Sequence, residues 1–100
     1  MRARLQTLNG KRSLFRATFV RFGARFTVPP RRTLLLHNVT RRGTILTDHL
    51  WLRDVSAFER LTLSEGDVVE FEATVAAYYK QKGIDYQLSH VTGVRKVSAS

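Results

Sequence analysis

The chain has 100 residues, 43% of them apolar or aromatic, no cysteine and a net charge of +9. That length bounds it to one domain with one modest core, and the lack of cysteine excludes a disulfide framework or a thiolate zinc site. The charge is concentrated: eleven cations and no acid precede Gly43, whereas six cations and eight acids follow it, an asymmetry that points to a polyanionic partner, nucleic acid first.

Residues 1–12 read as a basic N-terminal arm or short capping element around Leu5 and Leu8. The opening residues have no apolar h-region, and no apolar run approaches the ~18 residues of a membrane span. The expectation is a soluble, cytoplasmic protein. Ser13 to Phe22 is a strand with Phe15, Ala17 and Phe19 on the core face and Arg16, Thr18 and Phe22 on the other. Val20 interrupts the alternation, and Gly23 permits a bend. Ala24 to Arg32 is a basic loop stiffened by Pro29 and Pro30. Thr33 to Val39 is the second strand, and Thr40-Arg41-Arg42-Gly43 is a hairpin turn.

The return strand, Thr44 to Arg53, has two possible faces. Burying Leu46, Leu50 and Leu52 leaves Thr47, His49, Trp51 and Arg53 outside and drives Asp48 inward or to a rim. The opposite register exposes three leucines and buries a histidine, which costs more. Trp51 is therefore expected on the surface. Asp54 is a helix N-cap, and Val55, Phe58 and Leu61 have helical spacing. After the turn signal Gly66-Asp67, Val69, Phe71, Ala73, Val75, Ala77 and Tyr79 share one parity, opposite the more polar Val68, Glu70, Glu72, Thr74, Ala76 and Tyr78. This is a long half-buried strand. A polar loop at Lys80-Gln81-Lys82-Gly83 leads to Tyr86–Ser89 and Val91–Val97, one strand bent at Gly93. Residues 13–97 thus form a single domain, with 98–100 as a tail.

Five strands with a short helix between the third and fourth is the layout of a five-stranded Greek-key OB-fold barrel. Leu63, Gly66, Asp67, Val69, Phe71, Ala73 and Val75 resemble the Leu-x-x-Gly-Asp-x-Val pattern of the fourth strand in single-strand and anticodon-binding OB domains. The segments TDHLWL, LSEGDVVEFEATVAAYYK and DYQL also resemble short bacterial proteins. OB domains bind through strands two and three and the adjoining loops. The candidate nucleic-acid-binding residues are accordingly Arg16, Arg21, Phe22, Arg25, Phe26, Arg31 and Arg32 on the first strand and loop, and Arg41 and Arg42 at the hairpin. His49, Trp51 and Arg53 on the third strand join them, with Tyr78, Lys80, Lys82 and Tyr86 around the later loop. Cations following phosphates and rings stacking on bases are what single-strand binding needs.

The expected function is single-stranded nucleic-acid binding, DNA before RNA. A protein-interaction or assembly module and an RNA- or ribosome-associated protein are the alternatives. An exposed strand edge also makes a homodimer or larger complex an expected state. Catalysis finds no footing. His37, His49 and His90 lack metal-ligand spacing, Asp48 and His49 are strand neighbours that point to opposite faces, and no Gly-rich phosphate loop occurs. No metal or cofactor is implied.

Overall fold

A computed structural model of the chain describes residues 3–25, 31–53, 55–80 and 83–97. Alternation dictates most of it. Five strands, β1 (Arg12–Arg25), β2 (Arg31–Arg41), β3 (Thr44–Leu52), β4 (Val68–Lys80) and β5 (Gly83–Val97), form one antiparallel sheet in the order β3-β2-β1-β4-β5. β4 returns beside β1 rather than beside β3, the 4-1-2-3 arrangement of a Greek key. β1 and β2 extend further than expected into the basic loop, pairing Ala24 with Arg32 and Arg25 with Arg31. Phe26, Asp54, Gln81 and Lys82 lie outside the described residues.

The core face is the one the alternation marks as far as Val75; beyond it Ala77 and Tyr79 share the inward parity of β4 but are exposed. Phe15, Ala17 and Phe19 of β1 and Val69, Phe71, Ala73 and Val75 of β4 are all buried. Phe71 stands at the centre, with Phe15 at 6.0 Å and Phe58 edge-on at 5.4 Å between ring centroids. Rings in such tilted and edge contacts add about 0.5–1.5 kcal/mol to their burial.

Two expectations are corrected. First, no helix bridges β3 and β4 among the described residues. Val55 to Leu61 form turns instead, with Phe58 N–H on the Val55 carbonyl at 2.9 Å, Glu59 N–H on the same carbonyl at 3.1 Å and Leu61 N–H on Phe58 at 3.0 Å. The helical spacing is real, but its product is two anchors, Val55 and Phe58, buried in the core. A segment this short gains too few backbone bonds to offset helix nucleation. The only helix described is α1 (Ala3–Gln6), at the N-terminus. Second, the sheet does not close into a barrel. Among the described residues β3 and β5 form no ladder with each other, and the molecule is flattened, 38 × 36 × 20 Å. Bulges bend β5, where His90 (φ 52) and Gly93 (φ 62) take left-handed backbone. Core cover comes from Leu5 of α1, which packs on β3, from Leu8 in the turn after it, and from Val55 and Phe58.

The β2–β3 hairpin turns on Arg42 (φ 52) and Gly43 (φ 81), the pair of positive φ values that a two-residue hairpin loop of matching twist requires. Its ladder slips between Val39 and Thr40, so that Val39 faces Thr47 but Thr40 faces Ile45. The slip alters the expected alternation of β3. Leu46 and Thr47 are both buried, and Asp48 and His49 are both exposed. Thr47 tolerates burial because its hydroxyl donates to the His49 carbonyl at 2.9 Å. Beyond this point the expected parity returns, with Leu50 and Leu52 inward. Among the described residues no helix is long and apolar enough to cross a membrane.

Candidate nucleic-acid interface

Antiparallel pairing assembles the first cluster. Arg21 of β1, Leu35 of β2 and Trp51 of β3 lie side by side in one row. Trp51 is 40% exposed, and the Arg21 guanidinium sits 5.5 Å from its ring centroid. The indole reaches across β2 toward β1. A Cβ on Gly23 would lie 2.7 Å from ring carbon Cζ3 and 2.9 Å from Thr33 Oγ1. Gly23 is thus required by the room that Trp51 occupies, whereas sequence reasoning gave it only a bend. Beside the ring, Ala24, Thr33 and Arg53 complete a recess of about 290 Å³.

Arg53 extends this cluster to β4, where its guanidinium lies 5.5 Å from the Tyr78 ring centroid. Tyr78 donates its hydroxyl to Asp85 at 3.2 Å. A cation near a ring is attracted by the ring quadrupole, about 0.5–1 kcal/mol at exposed sites. The consequence here is order: two guanidiniums and two rings alternate along one surface. His49 is exposed one step along β3, directly across from His37 of β2. Among the described residues no third metal-binding side chain joins them.

Other expected site residues lie elsewhere. Phe22 packs partly on the core, 5.2 Å from Phe19. The bulge between Phe19 and Arg21 turns it to that side. Arg32 covers the Phe22 ring at 4.2 Å and pairs with Glu59 at 3.5 Å. Tyr86 is likewise half-buried against the core. Arg25, Arg31 and Lys80 are placed only by their backbone at strand ends, the first two paired with each other and Lys80 with Gly83.

Arg16, Arg41 and Arg42 belong to a second cluster. Thr40, Arg16, Glu70 and Arg95 stand in register across β2, β1, β4 and β5. Glu70 is 7% exposed although it lies on the polar face, because two arginines cover it. Arg16 Nη2 donates to Oε2 at 3.0 Å, and Arg95 Nε donates to Oε1 at 2.8 Å. Hydrogen bonds from Arg95 first and Arg16 second hold the Glu70 carboxyl below its usual pKa. Arg41 Nε donates to Ser13 Oγ at 2.6 Å. A groove of about 520 Å³ opens between β1 and the hairpin turn, lined by Ser13 to Arg16, Thr40, Arg42, Gly43 and Glu70. Alongside, Arg12 donates to the His90 carbonyl at 2.7 Å and to Thr92 Oγ1.

Glu70, Arg95 and Arg12 were missed by sequence reasoning. The signal for Glu70 was a polar parity in β4, legible only as "outside", with no hint of which cations would cover it. The Gly66-Asp67 turn is legible by contrast. Asp67 Oδ2 accepts from Ser64 N–H at 2.8 Å and Lys96 approaches to 3.2 Å, so the Ser64 bond, with Lys96, lowers the Asp67 pKa.

Comparison with protein-family models, curated proteins and solved structures finds no match to this chain.

Proposed function

We propose that the protein is a non-catalytic, single-stranded nucleic-acid-binding module, built as an open relative of the OB fold, with DNA preferred to RNA. The observation that carries this reading is Trp51. It is the only tryptophan and it is 40% exposed beside Arg21 and Arg53. Burial of a ring that size would stabilise a core by a few kcal/mol. A half-open indole between guanidiniums forgoes much of that gain and suits stacking on a base while the cations meet phosphates. The net charge of +9 supplies the long-range attraction. The OB kinship rests on the Greek-key strand order and on the Leu63 to Val75 motif.

The test is a titration of the purified chain with oligo-dT, oligo-U and duplex DNA, followed by Trp51 fluorescence. Single strands quench the emission, and affinity falls with rising salt. Duplex binding stronger than single-strand binding, or binding that leaves the emission unchanged, sinks the reading. The open edges of β3 and β5 support a second feature, pairing of two protomers through a strand edge. Sedimentation with and without oligonucleotide measures it.

A further inference from the structure

The groove between the first half of β1 and the β2–β3 turn lies away from Trp51, and the strand-stacking reading leaves it unused. We propose that this groove is a phosphate-binding site organised by Glu70, and that its occupant is an internal backbone phosphate of a bound strand. The source of the phosphate rests on the strand-binding reading; the pocket itself does not.

Topology creates the space. β1 pairs with β4 from Arg12 to Thr18, but with β2 only from Arg16 onward. β2 leaves the ladder at the left-handed turn formed by Arg42 and Gly43. Among the described residues, the first residues of β1 therefore have a strand on one side alone. Val75 N–H donates to the Lys11 carbonyl, and Phe19 N–H donates to the Asp67 carbonyl. Alternate residues of an antiparallel strand address the same neighbour, so the odd residues of β1 face β4. Leu14 then directs its N–H and carbonyl toward the groove, which it also lines.

Charge sets the kind of occupant. Four guanidiniums, those of Arg16, Arg41, Arg42 and Arg95, surround or adjoin the groove against the carboxylate of Glu70, with that of Glu72 across the ladder from Leu14. The Glu70 carboxylate does not cancel the site. An ion pair with a buried partner contributes little net stability, because desolvation offsets its attraction. Its physical effect is positional: one carboxylate fixes two guanidiniums from two different strands. Arg16 commits one N–H to Oε2 at 3.0 Å, and its side chain is still 53% exposed, leaving donors of its planar fork for a second acceptor. A tetrahedral phosphate suits a rigid fork beside an outward N–H better than a flexible ammonium would. The groove volume of about 520 Å³ leaves room for the sugars on either side of a phosphodiester.

The experiment titrates the ¹⁵N-labelled full chain with inorganic phosphate against sodium chloride at matched ionic strength. Saturable shifts confined to Ser13–Arg16 and Thr40–Gly43, with the Trp51 indole N–H unmoved, are expected. Linear shifts spread over all basic residues, or saturation at Trp51, overturn the site. Glu70→Gln separates a built site from a diffuse field. Removing a negative charge strengthens anion binding if only the field matters, whereas loss of guanidinium positioning weakens it, here by roughly tenfold. Tighter binding by Glu70→Gln overturns the proposal. Should that variant fail to fold, Arg42→Gly decides, since glycine keeps the positive φ of the turn. Phosphate binding weakened by roughly tenfold supports the site, and unchanged binding overturns it.

Three further arms assign the occupant. A 5′-phosphorylated oligonucleotide binds no tighter than its unphosphorylated twin if the phosphate is internal; a tenfold preference overturns that assignment. An oligo-glutamate peptide that moves the groove resonances where phosphate does not would make the partner an acidic protein, and that overturns the proposal. Phosphate bound in the groove with no oligonucleotide bound anywhere keeps the site and ends the strand-binding reading. Oligonucleotide binding without a saturable phosphate response ends the groove assignment alone.

Discussion

The indole of Trp51 occupies the space that a side chain on Gly23 would need, with ring carbon Cζ3 2.7 Å from the ideal Cβ position. A glycine inside a strand is costly in entropy and packs nothing. Here the ring from two strands away supplies the packing that glycine lacks, a cross-strand compensation of aromatic for glycine. Gly23→Ala sets two effects against each other. Alanine reduces the entropy of the unfolded chain, worth about 0.4–1 kcal/mol, but its methyl collides with the ring and with Thr33 Oγ1. Overpacking costs about 1–3 kcal/mol, and the half-exposed ring escapes at the low end of that range. The expected outcome is a net loss of about 0–0.6 kcal/mol with Trp51 more accessible to a soluble quencher. Urea unfolding and acrylamide quenching measure both, and a stabilised variant with unaltered quenching counts against the contact.

The N-terminal residues make a sharp test of what covers the core. Leu5 is fully buried and Leu8 nearly so, although α1 spans only Ala3–Gln6. A helix of four residues has no independent stability, so burial of its leucines holds it in place. Lys11 is tied to β4 by the bond from Val75 N–H at 3.0 Å. Leu5→Ala is expected to cost about 2–5 kcal/mol. A loss below 0.5 kcal/mol, as for a surface change, would mean that the segment is an arm after all.

Much of the fold was legible because period-two burial leaves a direct imprint. The inward set Val69, Phe71, Ala73 and Val75 follows from alternation alone, and the outward position of Trp51 follows from weighing three leucines against it. The failures of register have a common physical origin. Asn38 and His90 hold positive φ, a conformation that a non-glycine residue rarely announces in sequence, and each lies at a shift in a ladder. The slip at Val39 and Thr40 exchanged the expected positions of Thr47 and Asp48. Closure was not legible either: among the described residues β5 forms no ladder with β3. Site residues divide likewise. Trp51 and Arg53 share a face through local alternation and were foreseen together, whereas Arg21 reaches their row only through the bulge between Phe19 and Arg21. Glu70 meets Arg16 and Arg95 across sequence separations of 54 and 25 residues, and only the assembled sheet reveals that pairing.

Acid sensitivity follows from two carboxylates. Arg95 and then Arg16 lower the pKa of Glu70 from its ordinary 4.5. The Ser64 backbone N–H, aided by Lys96, lowers that of Asp67 from 3.8. A carboxylate whose folded pKa is depressed stabilises the fold fully above its unfolded pKa, and that contribution fades as pH falls through the folded value. The wild-type melting temperature is therefore expected to hold from neutral pH down to about 4.5 and to drop below it. The double variant Glu70→Gln, Asp67→Asn has less of this contribution to lose, so its melting temperature falls less over the same interval. Parallel acid limbs in the two proteins would exclude these groups as the source.

Trp51 and Arg21 test the interface together, because stacking and phosphate contact leave different signatures. If the indole stacks on a base, Trp51→Ala loses about 1–3 kcal/mol of single-strand binding with the salt dependence unchanged, since no charge is removed. If Arg21 meets a phosphate, Arg21→Ser weakens binding and lowers the slope of log affinity against log salt by roughly 0.7. Stability should respond little to Arg21→Ser, because a single exposed cation-ring contact is worth about 0.5–1 kcal/mol. Trp51→Ala also removes the ring packed over Gly23 and lowers stability, so binding is compared where both variants are folded. The two residues touch, with the guanidinium 5.5 Å from the ring centroid, so the double variant is expected to lose less than the sum of the single losses. Oligonucleotide titrations at three salt concentrations, run on wild type, both single variants and the double variant, yield all of these quantities. A changed salt slope in Trp51→Ala, or an unchanged one in Arg21→Ser, would separate the ring from the cation and remove this pair from the interface.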